Sequence, residues 1–359
     1  MASNSTGLSR AATAVPPHRV DQPTAIRALR RWLAQGGPES PMTIDKAVQV
    51  FENAGVAQRH TVLPLADLLT ERSFGDKNRL YMKYARALGE CALRKVFRSG
   101  TLGPQDVDLF ITTSCTGFMI PSLDAYLMNR FPFRRDVKRL PITELGCAAG
   151  VAALRMADDF LRAYPGATVL VLAVELTSLT FQPTDRSADH IVSTAIFGDG
   201  AAAVLLSNAP HAGLAITETA TRFFPETTAF MGFDVEETGF HIFLSPRIPV
   251  FVRRDLMPVI SEFLNQPAHN RKIDAWLIHP GGPKILDAVE DVLGIERGGL
   301  CYSREVLHSF GNLSSATIFF VLETYMRKAT PTVGTRQLVA AVGPGFQADF
   351  VVLEGQDKV

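Results

Sequence analysis

The chain has 359 residues, of which 47% are apolar and 20% are charged, with 36 basic and 36 acidic residues. This composition is typical of a globular protein with a substantial core, and a net charge of zero excludes the long-range positive field of a nucleic-acid-binding protein. The four cysteines, Cys91, Cys115, Cys147 and Cys301, are too few and too dispersed for a disulfide scaffold and form no CxxC or Cys/His metal motif.

The sequence carries no targeting signal that we can identify. Its first fifteen residues lack the apolar run of a signal peptide, and no stretch reaches the roughly 18 apolar residues of a membrane span. Unpaired cysteines are typical of a reducing compartment. We therefore expect a cytoplasmic protein with no membrane span and no nucleic-acid partner.

The predicted elements alternate along the chain. Residues 1–22 are small, polar and proline-containing, which predicts a flexible N-terminal arm. Beyond them, short β-branched or aliphatic runs alternate with longer amphipathic stretches, the pattern of an α/β protein. The predicted strands cover residues 108–114, 167–175, 201–207, 274–279, 337–343 and 349–354. The predicted helices cover residues 79–97, 121–130, 147–163, 249–265, 283–293 and 312–328.

The chain also contains an internal repeat. The segment VDLFITTSCTGFMIPSLDAYLMNRF matches IDAWLIHPGGPKILDAVEDVL as an acidic residue, a strand, a Gly/Pro loop and a helix. LGCAAGVAALRMADDFLRAY then matches FGNLSSATIFFVLETYMRKA, and FGDGAAAVLLS matches VGPGFQADFVVLE, in the same order. Three matches in one order predict two copies of an α/β unit, an N-terminal half over residues 23–210 and a C-terminal half over residues 211–359.

The repeat places chemically useful residues at equivalent positions. The acidic residue that opens each copy lies 39 residues before Cys147 and 38 residues before Asn312. If the halves pack about a pseudo-two-fold axis, Cys147 and Asn312 each begin a central helix, and Cys115 and His279 each lie near the end of a strand. Interfaces between halves are frequent sites of ligand pockets, so we expect these residues to share one site.

Cys147, in ELGCAAG, is a candidate nucleophile. A thiol at the N-terminus of a helix lies at the positive end of the helix dipole, which lowers the thiol pKa and favours the thiolate. The small residues that follow it leave room for an acyl chain. The alternative interpretation is a small buried apolar residue, which is the usual role of a free cysteine.

His279 and Asn312 are the candidate partners of this thiol. His279, in WLIHPGGPKILD, follows an apolar strand and precedes a Gly-Gly turn, so its ring is expected to face a cleft and form an ion pair with a thiolate. Asn312 opens the predicted helix over residues 312–328, where its amide N–H and a histidine N–H would stabilise an oxyanion or enolate. The alternatives are a turn-capping histidine and a helix-capping asparagine, and His308 is a competing histidine.

These residues and motifs resemble the type III polyketide synthases, the family of plant chalcone synthase. The resemblance spans residues 15–357 and is carried by LGCAAG, IFGDGAAA, WLIHPGGPKILD, FGNLSSA and VGPGF. It implies a thiolase fold, which is an α/β architecture of duplicated βαβαβαββ halves in a five-layered α-β-α-β-α arrangement. It also implies a homodimer, in which Ile120 aligns with the plant methionine that reaches across to the partner.

The resemblance implies a role for each residue of the site. Cys147 would carry the acyl chain, while His279 and Asn312 would promote decarboxylation and stabilise thioester oxyanions. Phe197 would stand at the junction of the CoA tunnel and the cavity, above a floor shaped by Gly343, Pro344 and Gly345. The other cavity positions are Cys115 and Ile242, which replace a plant threonine and phenylalanine, and Thr177, Thr180 and Ser314.

The resemblance also implies the substrates. They would be CoA thioesters, with no permanently bound cofactor and no metal. Lys46 aligns with the basic cluster that binds CoA phosphates, but its companions are Gln49 and Asn53, and Arg59 is a neighbouring candidate. Small or aliphatic cavity residues favour a medium- or long-chain fatty acyl starter. This starter would be extended iteratively with malonyl-CoA and cyclised to an alkylpyrone or an alkylresorcinol.

Other functions remain as alternatives. A ketoacyl synthase of fatty-acid-type metabolism uses the same Cys-His-Asn set for one condensation of acyl-CoA with malonyl-ACP. Thiolases place a second cysteine where this chain has VGPGFQ, and hydroxymethylglutaryl-CoA synthases need a catalytic glutamate, for which neither Glu90 nor Glu144 has support. Papain-like peptidases share the residue order but need a CGSCW-type context. A catalytically inactive acyl-binding protein would not need all three residues.

Overall fold

A computed structural model describes residues 6–35, 42–99, 102–208, 213–264 and 272–356. Its strands are β1 Thr6–Leu8, β2 Ala12–Ala14, β3 His18–Asp21, β4 Gln58–Thr61, β5 Leu109–Thr113, β6 Lys138–Ile142, β7 Thr168–Leu176, β8 Asp199–Ser207, β9 Leu214–Phe223, β10 Met231–Glu236, β11 Gly239–Leu244, β12 Ala275–Ile278, β13 Arg336–Gly343 and β14 Gln347–Gly355. Its helices are α1 Gln22–Ala34, α2 Ile44–Glu52, α3 Leu65–Leu68, α4 Phe74–Ser99, α5 Leu123–Met128, α6 Ala149–Ala163, α7 Ala188–Ile196, α8 Ile248–Phe251, α9 Met257–Leu264, α10 Pro283–Leu293, α11 Cys301–Phe310 and α12 Thr317–Lys328. Within these residues, no helix combines the length and the apolar run needed to cross a membrane.

One ten-stranded sheet runs through both halves of the chain. Its order is β12-β13-β14-β9-β1-β8-β7-β5-β6, and β2 pairs with β8. In the N-terminal half β5 is parallel to β7 and β7 is antiparallel to β8; in the C-terminal half β12 is parallel to β13 and β13 is antiparallel to β14. The two halves therefore repeat the same strand arrangement.

The side chains of these strands are buried on both faces. In β7, Val169 and Val171 face the core that contains α6 and α12, whereas Leu170 faces the core beneath α4. In β14, Val351 faces the central core and Phe350 faces the core formed with α2 and α10. Because side chains alternate along a strand, each half-sheet has helices on both faces. The result is the five-layered α-β-α-β-α arrangement, and the predicted thiolase fold is confirmed.

The two halves also share a local hydrogen-bond motif at the start of the repeat. The Asp108 carboxylate accepts from the Thr168 N–H at 2.8 Å, and the Asp274 carboxylate accepts from the Arg336 N–H at 2.9 Å. In each copy, the aspartate N–H also donates back to the carbonyl of the same partner at 2.8 Å. This pattern supports the duplication of one unit. The predicted boundary at residues 210–211 lies outside the described residues.

The prediction of a flexible N-terminal arm is wrong for residues 6–22. Thr6 and Leu8 are 0% and 1% exposed, and β1 pairs antiparallel with both β8 and β9. The Thr6 hydroxyl donates to Asp158 at 2.7 Å. A three-residue strand is too short for its periodicity to be recognised in the sequence. Here β1 pairs with the backbone hydrogen-bonding groups on the facing edges of both half-sheets.

One long predicted helix is interrupted. The prediction over residues 249–265 corresponds to α8 and α9, separated by a π-helical turn at Val252–Leu256. Residue 265 itself lies outside the described residues. Turns of this kind insert one extra residue into a helix and are rare, so a continuous apolar stretch was interpreted as one regular helix.

Candidate active site

Cys147 lies in a tight turn before a buried helix. The 3-10 turn Gly146–Ala148 precedes α6, so the predicted helix over residues 147–163 begins two residues later. Gly146 has φ +51°, and a Cβ atom there would lie 2.6 Å from the Pro344 ring. Only glycine fits this conformation and this contact, so the loop of Gly343 to Gly345 packs directly beside Cys147.

The side chain of Asn312 has a fixed orientation. Its Oδ1 accepts from the Ser314 N–H at 2.8 Å and from the Thr317 hydroxyl at 3.2 Å. Asn312 is therefore not the N-cap of α12, which begins at Thr317 after the 3-10 turn Ser314–Ala316. Because the oxygen is occupied, the amide nitrogen is the group available to Cys147, and hydrogen bonding from Asn312 lowers the pKa of the thiol.

Ser314 bridges two thiols. Its Oγ lies 3.7 Å from the Cys147 Sγ and 3.3 Å from the Cys115 Sγ. Ser314 has φ +48°, which is unusual for a residue with a side chain, and this conformation turns the hydroxyl between the two sulfurs. The structure thus brings together four of the predicted residues, Cys115, Cys147, Asn312 and Ser314, which we call the thiol cluster.

A buried carboxyl group adjoins the thiol cluster. Glu175, at 0% exposed in β7, accepts from the Ser315 hydroxyl at 2.5 Å, the Thr116 hydroxyl at 2.9 Å and the Cys115 N–H at 3.1 Å. Burial raises the pKa of Glu175 above its ordinary value, and these hydrogen bonds oppose the shift. Sequence reasoning missed Glu175. The available signal was one acidic residue at the end of the apolar run ATVLVLAVE.

The expected low pKa of Cys147 is wrong. Burial raises the pKa of the Cys147 thiol to about 11, and the Glu175 carboxyl raises it further, whereas hydrogen bonds from Ser314 and Asn312 lower it. Burial followed by Glu175 also raises the pKa of Cys115 well above its ordinary value. The desolvation of the thiolate therefore outweighs the hydrogen bonds that favour it, and Cys147 is a neutral thiol at pH 7.

His279 is a buried histidine. It is 6% exposed, and among the described residues neither ring nitrogen has a hydrogen-bond partner. Burial lowers its pKa to about 4, so the ring is neutral at pH 7. Its backbone N–H donates to the Ala340 carbonyl in β13 at 2.8 Å. Gly343 ends this strand three residues later, ~10 Å further along it, and contacts the backbone beside Cys147. Because neither ring nitrogen makes a hydrogen bond to the turn that follows, the ring does not act as a turn cap.

Four other predicted residues line a separate space. A cavity of about 820 Å³, including its solvent-open part, lies between α1, α3 and α7. Among its lining residues are Phe197, Thr177, Thr180 and Ile242. The described lining does not include Cys147, His279 or Asn312. We call this space the α1–α3 cavity, and Phe197 connects it to the thiol cluster because its neighbour Gly198 donates to the Asn312 carbonyl at 3.0 Å.

The two candidate CoA-binding residues differ in their surroundings. Lys46 is exposed on α2, on the same face as Gln49 and Asn53. Arg59 is 5% exposed and donates to the Thr194 carbonyl at 2.6 Å and to Gln22 at 2.7 Å. Arg59 is therefore buried in the protein and does not share the exposed face of Lys46, and the binding of CoA by these two residues stays a prediction.

Two family models match consecutive parts of the chain. Residues 25–217 match the family described as FAE1/type III polyketide synthase-like protein. Residues 215–356 match the C-terminal domain of chalcone and stilbene synthases.

The chain belongs to the type III polyketide synthase family.

Characterised relatives and solved structures agree with this assignment. The chain is 33% identical to the 1,3,6,8-tetrahydroxynaphthalene synthase of Streptomyces coelicolor, over 96% of this chain and 90% of that enzyme. It is also 33% identical to the phloroglucinol synthase of Pseudomonas fluorescens, over 94% of this chain and 96% of that enzyme. The crystal structure of the Streptomyces coelicolor tetrahydroxynaphthalene synthase superposes with a TM-score of 0.92 at 32% identity, covering 98% of this chain and 100% of that one.

Membership of this family establishes the reaction class. Type III polyketide synthases catalyse decarboxylating condensations of CoA thioesters and need no permanently bound cofactor. Among the described residues of this polyketide synthase, no group of three or more His, Cys, Asp and Glu side chains is arranged to bind a metal.

The opposing influences on the Cys147 pKa predict opposite effects of two substitutions. Glu175→Gln removes a negative charge, so the pKa of Cys147 should fall and alkylation by iodoacetamide at pH 8 should accelerate several-fold. Ser314→Ala removes a hydrogen bond to the thiolate, so alkylation should slow. Peptide mapping of the labelled enzymes measures both rates at Cys147. A change in the same direction for both variants would contradict the assigned causes.

Proposed function

We propose that this polyketide synthase carries its growing chain on Cys147, with His279 and Asn312 acting on both partners of the condensation. The single observation that supports this most is the orientation of Asn312: its oxygen is occupied by Ser314 and Thr317, which leaves its amide nitrogen available, and hydrogen bonding from Asn312 lowers the pKa of Cys147. The second group is the ring of His279, whose nitrogens have no hydrogen-bond partner among the described residues. His279 is bonded to β13, the strand whose last residue, Gly343, packs against the backbone beside Cys147.

The protonation states define the loading step of the proposed mechanism. Cys147 is a neutral thiol and His279 a neutral imidazole, so one ring nitrogen has a free lone pair. As the sulfur attacks the starter thioester, its proton passes to this nitrogen. The CoA thiolate leaves and takes the proton back, which restores neutral His279 and leaves the acyl group on Cys147.

Condensation then uses the same groups as donors. Malonyl-CoA loses carbon dioxide and becomes a thioester enolate, whose oxygen accepts hydrogen bonds from the Asn312 amide and the His279 N–H. The enolate carbon attacks the Cys147 thioester and expels the thiolate, so the chain grows by two carbons on CoA. Transfer back to Cys147 permits another cycle, and the final chain cyclises.

The proposed starter is a medium- or long-chain fatty acyl-CoA, cyclised after extension to an alkylpyrone or alkylresorcinol. The apolar wall of the α1–α3 cavity supports it, since Leu29, Leu65 and Leu68 line this space beyond Phe197. A second candidate is a starter without an alkyl chain. It is favoured by the relatives named for tetrahydroxynaphthalene and phloroglucinol, compounds that carry no alkyl tail.

Mass spectrometry of the products distinguishes the two starters. We expect lauroyl-CoA with malonyl-CoA to give products that contain the whole lauroyl unit, with its carbonyl carbon in the ring and its remaining carbons as the alkyl tail, because leucine side chains line the cavity. Malonyl-CoA alone is the control. Efficient turnover of malonyl-CoA alone, with no incorporation of lauroyl groups, would rule out the fatty starter and support the second candidate.

We also propose that the enzyme is a homodimer in the cytoplasm. Ile120 is 97% exposed, Phe118 near it is 42% exposed, and within the described part of the chain β6 forms an edge of the sheet with one side unpaired. Such an apolar loop beside a free strand edge is typical of an interface. The four free thiols fit a reducing compartment.

Light scattering after size exclusion tests the dimer. Ile120→Asp would place a charge in the buried interface, so the variant should elute as a monomer while the wild type elutes as a dimer. Val333→Asp is the matched control, because Val333 is 63% exposed in a turn elsewhere and should leave the dimer intact. A wild-type monomer, or a dimer that persists in the Ile120→Asp variant, would refute this interface.

A further inference from the structure

Arg59 is a buried cation for which the described residues supply no counter-charge. It is 5% exposed and lines the α1–α3 cavity. Its two hydrogen-bond partners, the Thr194 carbonyl and the Gln22 side chain, are both neutral. Among the described residues its Nε has no hydrogen-bond partner. Its guanidinium also lies over the Phe51 ring, 5.7 Å from the centroid, which is a contact with a neutral group. Burying an unpaired charge is costly, so an anionic ligand in the cavity would offset the cost of burying Arg59.

The cavity around Arg59 is amphipathic and carries no negative charge. Among its described lining residues there is no aspartate or glutamate. His190 also lines it, and burial lowers the pKa of that histidine to about 4, so it is neutral at pH 7. The opposite wall is formed by aliphatic side chains of α1 and α3, including Leu29, Leu65 and Leu68. One cation at one side and leucines at the other match a carboxylate attached to a hydrocarbon chain.

We propose that the α1–α3 cavity binds an aliphatic carboxylate, with the carboxylate on Arg59 and the hydrocarbon chain along α1 and α3. Two sources share this chemistry. The first is a free fatty acid, which would occupy the cavity independently of catalysis. The second is the ω-carboxyl end of an acyl chain attached to Cys147, and this source rests on the proposed function because it requires an acylated enzyme.

A purely structural role for Arg59 predicts a different behaviour. Its bond to the Thr194 carbonyl lies in the last turn of α7, where a cation is favourable to the helix dipole. Removing a structural arginine would lower stability but would not change the preference of the cavity between ligands with and without a carboxylate. The selectivity between dodecanoate and dodecanol therefore separates the two roles.

Calorimetric titration of the wild-type enzyme with dodecanoate and dodecanol is the first test. We expect dodecanoate to bind at least tenfold more tightly. Arg59→Gln should remove this preference, and Arg59→Lys should retain part of it. Arg19→Gln is the matched control, because Arg19 is exposed on β3, beside the cavity-lining Val20. Ala28→Phe, which fills the cavity from α1 and leaves Arg59 unchanged, should weaken both ligands.

Turnover distinguishes the two sources of the carboxylate. If the ω-carboxyl end of an acyl chain is the ligand, the CoA monothioester of dodecanedioic acid should be favoured over lauroyl-CoA by the wild type and not by Arg59→Gln. If only dodecanoate binding depends on Arg59, the free fatty acid is the ligand. Equal binding of dodecanoate and dodecanol by the wild type, together with a starter preference that Arg59→Gln does not change, would overturn the proposal. If the wild-type enzyme turned over none of these starters, the proposed function would be refuted, and the calorimetric result would still stand.

Discussion

Cys147→Ala is expected to abolish the acyl-enzyme and all polyketide formation, with a loss on the order of 10³-fold or more. The sulfur is the only atom of the thiol cluster that the proposed mechanism acylates, and no neighbouring group replaces it. Decarboxylation of malonyl-CoA should persist, because the enolate is stabilised by Asn312 and His279 rather than by the thiol. Product analysis and carbon dioxide release measure the two activities separately.

Two control variants make this result specific. Cys301→Ala removes an exposed thiol and should leave both activities unchanged. Asn312→Ala should reduce decarboxylation as well as condensation, because it removes a donor to the enolate. Polyketide formation by Cys147→Ala at a rate near the wild type would show that another group carries the chain.

Gly150→Ala is expected to destabilise the enzyme by roughly 2–3 kcal/mol, in the range of overpacked cores. Gly150 lies in α6, and a Cβ atom there would be 2.3 Å from the Ser315 carbonyl oxygen and 2.8 Å from Ile318. Alanine in a helix interior normally gains about 1 kcal/mol over glycine. The clash with a backbone atom outweighs this gain, because the two central helices would have to separate.

Urea denaturation of the purified variant measures this effect. Gly89→Ala is the matched control: Gly89 is also inside a helix, α4, but the nearest atom to its Cβ would be the tip of the Leu127 side chain at 3.2 Å. This side chain can move, so Gly89→Ala should change stability far less. Activity of Gly150→Ala should also fall, since the displaced turn carries Ser314. An unfolding midpoint at or above the wild-type value would contradict the close packing of α6 and α12.

The sequence predicted the fold where local pattern and tertiary structure agree. The helix predicted over residues 283–293 coincides with α10, and the strand over residues 337–343 lies within β13. The strand β1 escaped prediction because three residues carry no periodicity and its pairing partners lie about 200 residues away. Such a contact is decided by the assembled half-sheets, not by the segment.

The sequence identified the residues of the site better than it predicted their pKa values. Local motifs identified Cys147 and Asn312, and the structure places both in the thiol cluster. The sign of the Cys147 pKa shift was wrong because desolvation and Glu175 depend on the fully packed interior. Likewise, the burial of Arg59 follows from its strand pairing with Val20, which the sequence of β4 alone does not reveal.

Peptide mapping of the enzyme after brief incubation with lauroyl-CoA alone tests the account most directly. Without malonyl-CoA the reaction stops after loading, so the acyl group remains where it was transferred. We predict one lauroyl group per chain, on Cys147, and none on Cys115, although Ser314 lies between the two sulfurs. A lauroyl group on Cys115 and an unmodified Cys147 would contradict the assignment of the nucleophile.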